Sequence, residues 1–222
     1  MRNLRAKMTM IAGLVICLAI PLILSCAAVT PAKAAEPSYL YKTTFVRAAP
    51  GKLLELIDLY KSRMDVYDAS GDERPFWWRH TQGDQWDLAC SAWREDILVL
   101  GPPLKSVKKA FEDTAYYHIE ICVALPGKQE ELFKEREMEN IYQVSLGRPE
   151  NMIFVRDQGA AWDLFTLGCY RDIMHWASSG EITKEKRGEA ARRAGFSSPE
   201  AIGPYLRTLI DWHRDTMGVA IR

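Results

Sequence analysis

YHIEICVALPGK, residues 117–128, repeats YKTTFVRAAPGK, residues 41–52, at an offset of 76 residues, and the correspondence runs without a gap to Leu88 and Leu164. Over the 48 paired positions 13 are identical. They are Tyr41/Tyr117, Ala48/Ala124, Pro50-Gly51-Lys52/Pro126-Gly127-Lys128, Glu55-Leu56/Glu131-Leu132, Gly71/Gly147, Gln82-Gly83/Gln158-Gly159 and Trp86-Asp87-Leu88/Trp162-Asp163-Leu164. Unrelated segments share only a few residues and rarely hold one register, so the chain reads as an internal duplication.

Each copy carries the same local signals. Tyr41 to Ala48 alternates and is rich in β-branched and aromatic residues, which predicts a strand that Pro50-Gly51 ends. Leu53, Leu56, Ile57, Tyr60 and Met64 then recur at the spacing of one helical face, and Ser70-Gly71-Asp72 stops that helix. Phe76–Thr81 and Gln85–Ser91, split by Gln82-Gly83-Asp84, predict a hairpin. Residues 94–115 give a weaker signal: a break at Gly101-Pro102-Pro103, then a helix over 104–113. The second copy predicts a strand over 117–124, a helix over 128–145, a hairpin of 151–157 with 161–167, and a helix near 170–178. The tail predicts helices over 185–194 and 199–213 and a last strand over 217–221.

A tandem β-α-β-β(-α) unit with this Pro-Gly-Lys turn resembles the ferredoxin-like dimeric α/β-barrel superfamily, over most of residues 40–180. The superfamily includes antibiotic-biosynthesis-type monooxygenases, haem-degrading monooxygenases and the NIPSNAP group. The resemblance implies an α+β fold in which two fused units face each other as an intramolecular pseudo-dimeric barrel. Unit one would span 35–115, unit two 116–180, and a C-terminal helical extension 181–222. The Asn-Trp-His catalytic set of the haem-degrading members does not map onto this sequence.

Residues 1–34 read as a leader. Arg2, Arg5 and Lys7 precede an apolar run over 8–29, and Ala32-Lys33-Ala34 is a cleavage signal. Ile23-Leu24-Ser25-Cys26 also fits a lipobox, with lipidation at Cys26, and an uncleaved anchor is the third reading. All three export the domain to the periplasm or beyond, and the membrane is met only through this segment. Without the leader, 25 basic residues stand against 29 acidic ones, a net charge near −4, which argues against nucleic acid as a partner. Cys90, Cys122 and Cys169 are an odd number without paired spacing, so buried thiols are the plain expectation.

No phosphate-cradling loop, Gly-x-Ser-x-Gly or His-Glu-x-x-His occurs, so candidate chemistry comes from asymmetry between the copies. Lys42 and Thr44 become His118 and Glu120; Tyr60, Met64 and Tyr67 become Arg136, Asn140 and Gln143. His118 and Glu120 point to one face of a strand. If that face meets the helix, they converge with Arg136 and Asn140 on a polar pocket. His118 would then be acid/base, Glu120 its orienter, and Arg136 and Asn140 the binders of an anionic or carbonyl group. If it faces the other sheet, the pocket lies in the barrel lumen and Arg136 drops out. Structural ion pairing explains the same residues without a site.

Glu131, Glu135 and Glu139 follow an i, i+4 series that reads as a solvated face, so no metal is predicted. The second candidate is Phe76-Trp77-Trp78-Arg79-His80, whose Trp78 and His80 share a face suited to a flat organic ligand; core packing is the alternative. Arg156 replaces His80 in the second copy and joins the candidate binding residues. His175 and His213 fall on predicted helices, with surface exposure expected.

These residues lead to an exported protein with a small-molecule pocket, in the style of a cofactor-independent monooxygenase. A non-catalytic envelope protein binding a ligand or partner is the alternative. Haem, the one cofactor considered, would need an open slot beside a histidine. The protein would be a monomer or a homodimer.

Overall fold

Both Pro-Gly-Lys turns fold alike. Gly51 and Gly127 take φ of 77° and 78°, and the Lys52 and Lys128 amides donate to the Ala49 and Leu125 carbonyls at 2.9 Å. A side chain at either glycine would force a left-handed backbone, which is why both are glycine. In the computed structural model the described residues are 39–82, 91–178 and 182–221, with the backbone alone over 91–95. The leader readings, including Cys26, fall outside them, as do Trp86-Asp87-Leu88 and Cys90. No helix among the described residues is long and apolar enough to cross a membrane.

The elements run β1 (Tyr39–Ala48), α1 (Leu53–Lys61), α2 (Met64–Ser70), β2 (Trp78–Gln82), β3 (Ser91–Gly101), α3 (Leu104–Glu112) and β4 (Tyr116–Ala124). Then come α4 (Gln129–Ser145), β5 (Met152–Gln158), β6 (Leu164–Tyr170), α5 (Ile173–Ala177), α6 (Lys184–Ala194), a 3-10 turn (Pro199–Ala201), α7 (Ile202–Arg207) and β7 (Ile210–Ala220). The protein is α+β. Its strands form one curled antiparallel sheet in the order β1-β3-β5-β6-β4-β7-β2.

Two expectations are corrected, and a third falls mostly outside the described residues. Of the expected first hairpin, the second strand over 85–91 lies outside the described residues but for Ser91; its first strand, β2, pairs with β7, while β3 pairs with β1 and β5. Packing explains the choice: Trp78 lies across the bare backbone of Gly218, where a Cβ would come within 2.7 Å of its ring, and continues onto Tyr117 at 5.9 Å. The helix expected over 199–213 ends at Arg207, and the eleven-residue β7 then pairs along the whole of β4. Leu209 and Ile210 are buried there, and the strand gains a full antiparallel ladder that a helix would forgo. The helix near 170–178 shortens to α5 because β6 continues to Tyr170.

One difference separates the paired helices. The first breaks at Ser62-Arg63, where the Ser62 hydroxyl donates to the Leu59 carbonyl at 2.7 Å and competes with the helical ladder. The second runs unbroken through α4.

β4 sorts its side chains by parity. Tyr117, Ile119 and Ile121 enter the main core with Phe45, Ile97, Val99, Phe154, Phe165 and α3's Val107. His118, Glu120 and Cys122 take the opposite face, toward α4, where Cys122 packs with Leu132, Leu164, Leu206 and Leu209. α6 lies on the far side of α4, its Ala191 and Ala194 packed with Phe196 against Met138 and Tyr142. Gly218→Ala is expected to lower stability by about 1–3 kcal/mol through overpacking against Trp78. A urea midpoint equal to that of the parent would remove Trp78–Gly218 as the clamp that fastens β2.

Candidate functional site

α4 supplies the site's cation. Sandwiched between sheet and α6, it buries Glu135 (0% exposed) and Arg136 (3%), adjacent residues that a one-sided surface helix would not both bury. Arg136 Nη1 donates to Glu120 Oε2 at 2.7 Å, its Nε donates to Glu135 Oε2 at 2.6 Å, and its Nη2 lies 2.9 Å from Glu139 Oε2. Three carboxylates thus bear on one guanidinium inside the protein.

Burial disfavours every charge in this group, so pairing decides the outcome. Desolvation pushes the Glu120 carboxyl above its ordinary range, against the pull of Arg136. Glu135 rises to about 7, chiefly by desolvation, with Arg136 opposing and Glu139 and Glu120 adding to the rise. Burial alone would lower Arg136, yet Glu120, Glu139 and Glu135 carry it higher, so it stays charged. Glu135 Oε1 and the neighbouring strand's Thr166 Oγ1 are buried without a hydrogen-bond partner. Thr166 faces Glu120 across the β4–β6 ladder.

His118 belongs to a second, shallower group. Its Nε2 donates to Asp215 Oδ1 at 2.7 Å, and His213 Nε2 approaches Asp215 Oδ2 at 3.4 Å. The register explains the meeting: Asp215 sits opposite Glu120 and His213 opposite Cys122, so all share β4's even face. The hydrogen bond from His118 holds the Asp215 carboxyl below its usual range, against desolvation. The Asp215 side chain is 49% exposed and that of His118 19%, which puts this trio at the rim.

The structure therefore joins Glu120 to Arg136 and gives His118 a different partner. Asn140 takes no part: its side chain exchanges two 2.8 Å hydrogen bonds with the Asn151 backbone and pins the loop after α4. Arg156 is also remote in role, donating to the Ala160 carbonyl at 3.0 Å and Asp163 Oδ1 at 3.2 Å within the β5–β6 turn. Asp163 in turn accepts from the Ala124 amide at 2.8 Å. Trp78 is core, against Phe111 and Tyr117. His80 follows it on β2, half-buried.

The sequence reading missed Glu135, His213 and Asp215. Glu135 was expected in solvent because its i, i+4 neighbours are; Glu131 indeed pairs at the surface with Lys128 at 2.8 Å. His213-x-Asp215 alternates as a strand face does, a signal hidden by assigning the segment to a helix. Cys122 and Cys169 are buried free thiols. Burial drives the Cys122 thiol up and pushes Cys169 up to about 12, so neither is a thiolate nucleophile.

Two concave spaces among the described residues are formed without His118 or Glu120 in their walls. A shallow groove of about 640 Å³ runs past Thr81, Gln82, Tyr116, Arg171 and Ile173. A more enclosed cleft of about 250 Å³ lies between α1, the start of α2, residues 74–77 and the end of β7. Its walls are Ile57, Tyr60, Met64, Pro75, Trp77 and Ile221, with Lys61 and Arg74 also lining it. The chain matches no family model, and no curated protein or solved structure is significantly similar to it. Among the described residues no three His, Cys, Asp or Glu side chains are arranged to hold a metal ion.

Two outcomes are expected from the buried cluster. Arg136→Met leaves three carboxylates facing one another and should cost about 3–5 kcal/mol in chemical denaturation. Glu135 binds its proton more tightly folded than unfolded, so its favourable contribution is complete below about 4.5 and lost as pH rises through about 7. Glu135→Gln should therefore raise Tm more at pH 8 than at pH 5. An equal change at both pH values would place Glu135 outside this linkage.

Proposed function

We propose that this protein binds a small organic molecule without transforming it, and that the ligand lies in the cleft beside Trp77. The observation that carries the reading is the mismatch between the two candidate regions. Glu120 is paired with Arg136 inside the protein and His118 with Asp215, and neither lines the cleft, whereas the cleft is a concave space walled by rings and aliphatic chains. A catalytic reading in the manner of cofactor-independent monooxygenases needs a base that touches substrate, and His118 lines neither the groove nor the cleft.

The cleft is built to keep its shape. Glu73 accepts a 2.6 Å ion pair from Lys108 on α3, and Phe76 stacks on Phe111 with centroids 4.4 Å apart. The Trp77 carbonyl accepts from the Ile221 amide at 3.1 Å, while its ring meets Tyr60 edge-on at 4.4 Å. Trp77 Nε1 is closed off from solvent and has no acceptor. An unsatisfied buried donor costs about 1–3 kcal/mol, a cost that a bound acceptor can remove.

The same proposal extends to ancestry and location. We read the chain as two fused ferredoxin-like units approximating an intramolecular pseudo-dimeric barrel. Support comes from the offset of 76 residues, from paired left-handed glycines at 51/127 and 71/147, and from the order β5-β6-β4-β7, which is the split β-α-β arrangement. Export rests on the composition of residues 1–34.

Tyr60→Ala removes one wall and should weaken any ligand recovered with the native protein at least tenfold by isothermal titration, with the fold intact by circular dichroism. His118→Ala should leave that affinity unchanged. A loss on His118→Ala with Tyr60→Ala neutral would reverse the assignment.

A further inference from the structure

The charge around the cleft points to the chemical class of its ligand. Eight residues line it; two are cationic, Lys61 and Arg74, and none is acidic. Arg74 is partly spoken for, since its Nε donates to Asp68 Oδ1 at 2.7 Å and its Nη2 also pairs with that carboxylate. Lys61, the last residue of α1, makes no ion pair among the described residues and is exposed. The remaining walls are apolar or aromatic. Such a space offers an apolar slot with a cationic entrance. A neutral hydrocarbon would leave the ammonium without a partner, and a cation would meet two like charges.

We infer that the ligand is a small carboxylate-bearing molecule with an aromatic or aliphatic body, its body against Tyr60, Met64 and Trp77 and its carboxylate at Lys61. Size sets an upper limit. At about 30 Å³ per water in the liquid, 250 Å³ equals roughly eight waters, below the usual drug-sized pocket of about 300–1,000 Å³. One ring or a short chain fits; a tetrapyrrole does not. A charge-assisted hydrogen bond to Lys61 is stronger than a neutral one, so the carboxylate is preferred over an uncharged acceptor of the same shape.

This inference rests on the cleft being the binding site, and the test separates the two. The full chain is titrated with 3-phenylpropionate, 3-phenylpropanamide and propylbenzene, which share a body and differ in head group, by ligand-observed NMR with Tyr60→Ala as the site control. The expected result is that phenylpropionate binds at least tenfold tighter than the amide, that Lys61→Met brings the two together, and that added salt weakens the acid alone. Equal binding of all three probes, lost in Tyr60→Ala, overturns the carboxylate class and keeps the cleft. Failure of all three at millimolar concentration, or binding indifferent to Tyr60→Ala, overturns the cleft itself.

Discussion

The guanidinium of Arg136 holds the helical side of this protein together. Its three carboxylate partners come from β4 and from α4 itself; Glu135 and Glu120 are buried, and Glu139 reaches toward solvent. A buried charge of this kind is tolerated only when paired, and here three carboxylates face one guanidinium, so burial and the neighbouring carboxylates push Glu135 up to about 7. The arrangement docks α4 in one register on β4. It leaves Glu120 and Arg136 no freedom to meet a substrate.

That constraint shapes everything outward from it. With α4 set, α6 lies against its second side through small residues, and α7 delivers β7 to the free edge of β4. β7 then captures β2, and its last residues form the floor on which Trp77 rests. The cleft is thus a late product of the sheet order. It assembles segments from the two ends of the described chain.

Much of this was legible in the residues. Alternation marked β1 and β4, the 3.6-residue spacing marked α1, α3 and α4, and the Pro-Gly-Lys turns stopped the strands where they do stop. The comparison of positions 76 residues apart singled out Glu120 and Arg136, and the two form an ion pair at 2.7 Å. The roles were harder. Asn140 turned out to pin a loop and Arg156 a turn, because hydrogen bonds to backbone carbonyls and amides leave no trace in side-chain pattern. Trp78, read with His80 as the ligand-facing wall, packs on the core instead, and the cleft takes Trp77.

By itself the sequence determined most of the local elements and both Pro-Gly-Lys turns, because these depend on dihedral preference and on periodicity within a few residues. Tertiary structure alone decided which strands lie side by side, which face of β4 meets the helix, and that Asp215, 97 residues away, and not Glu120, accepts the His118 hydrogen bond. Strand pairing is settled by the packing of remote surfaces such as Trp78 on Gly218, and no short window of residues contains both partners.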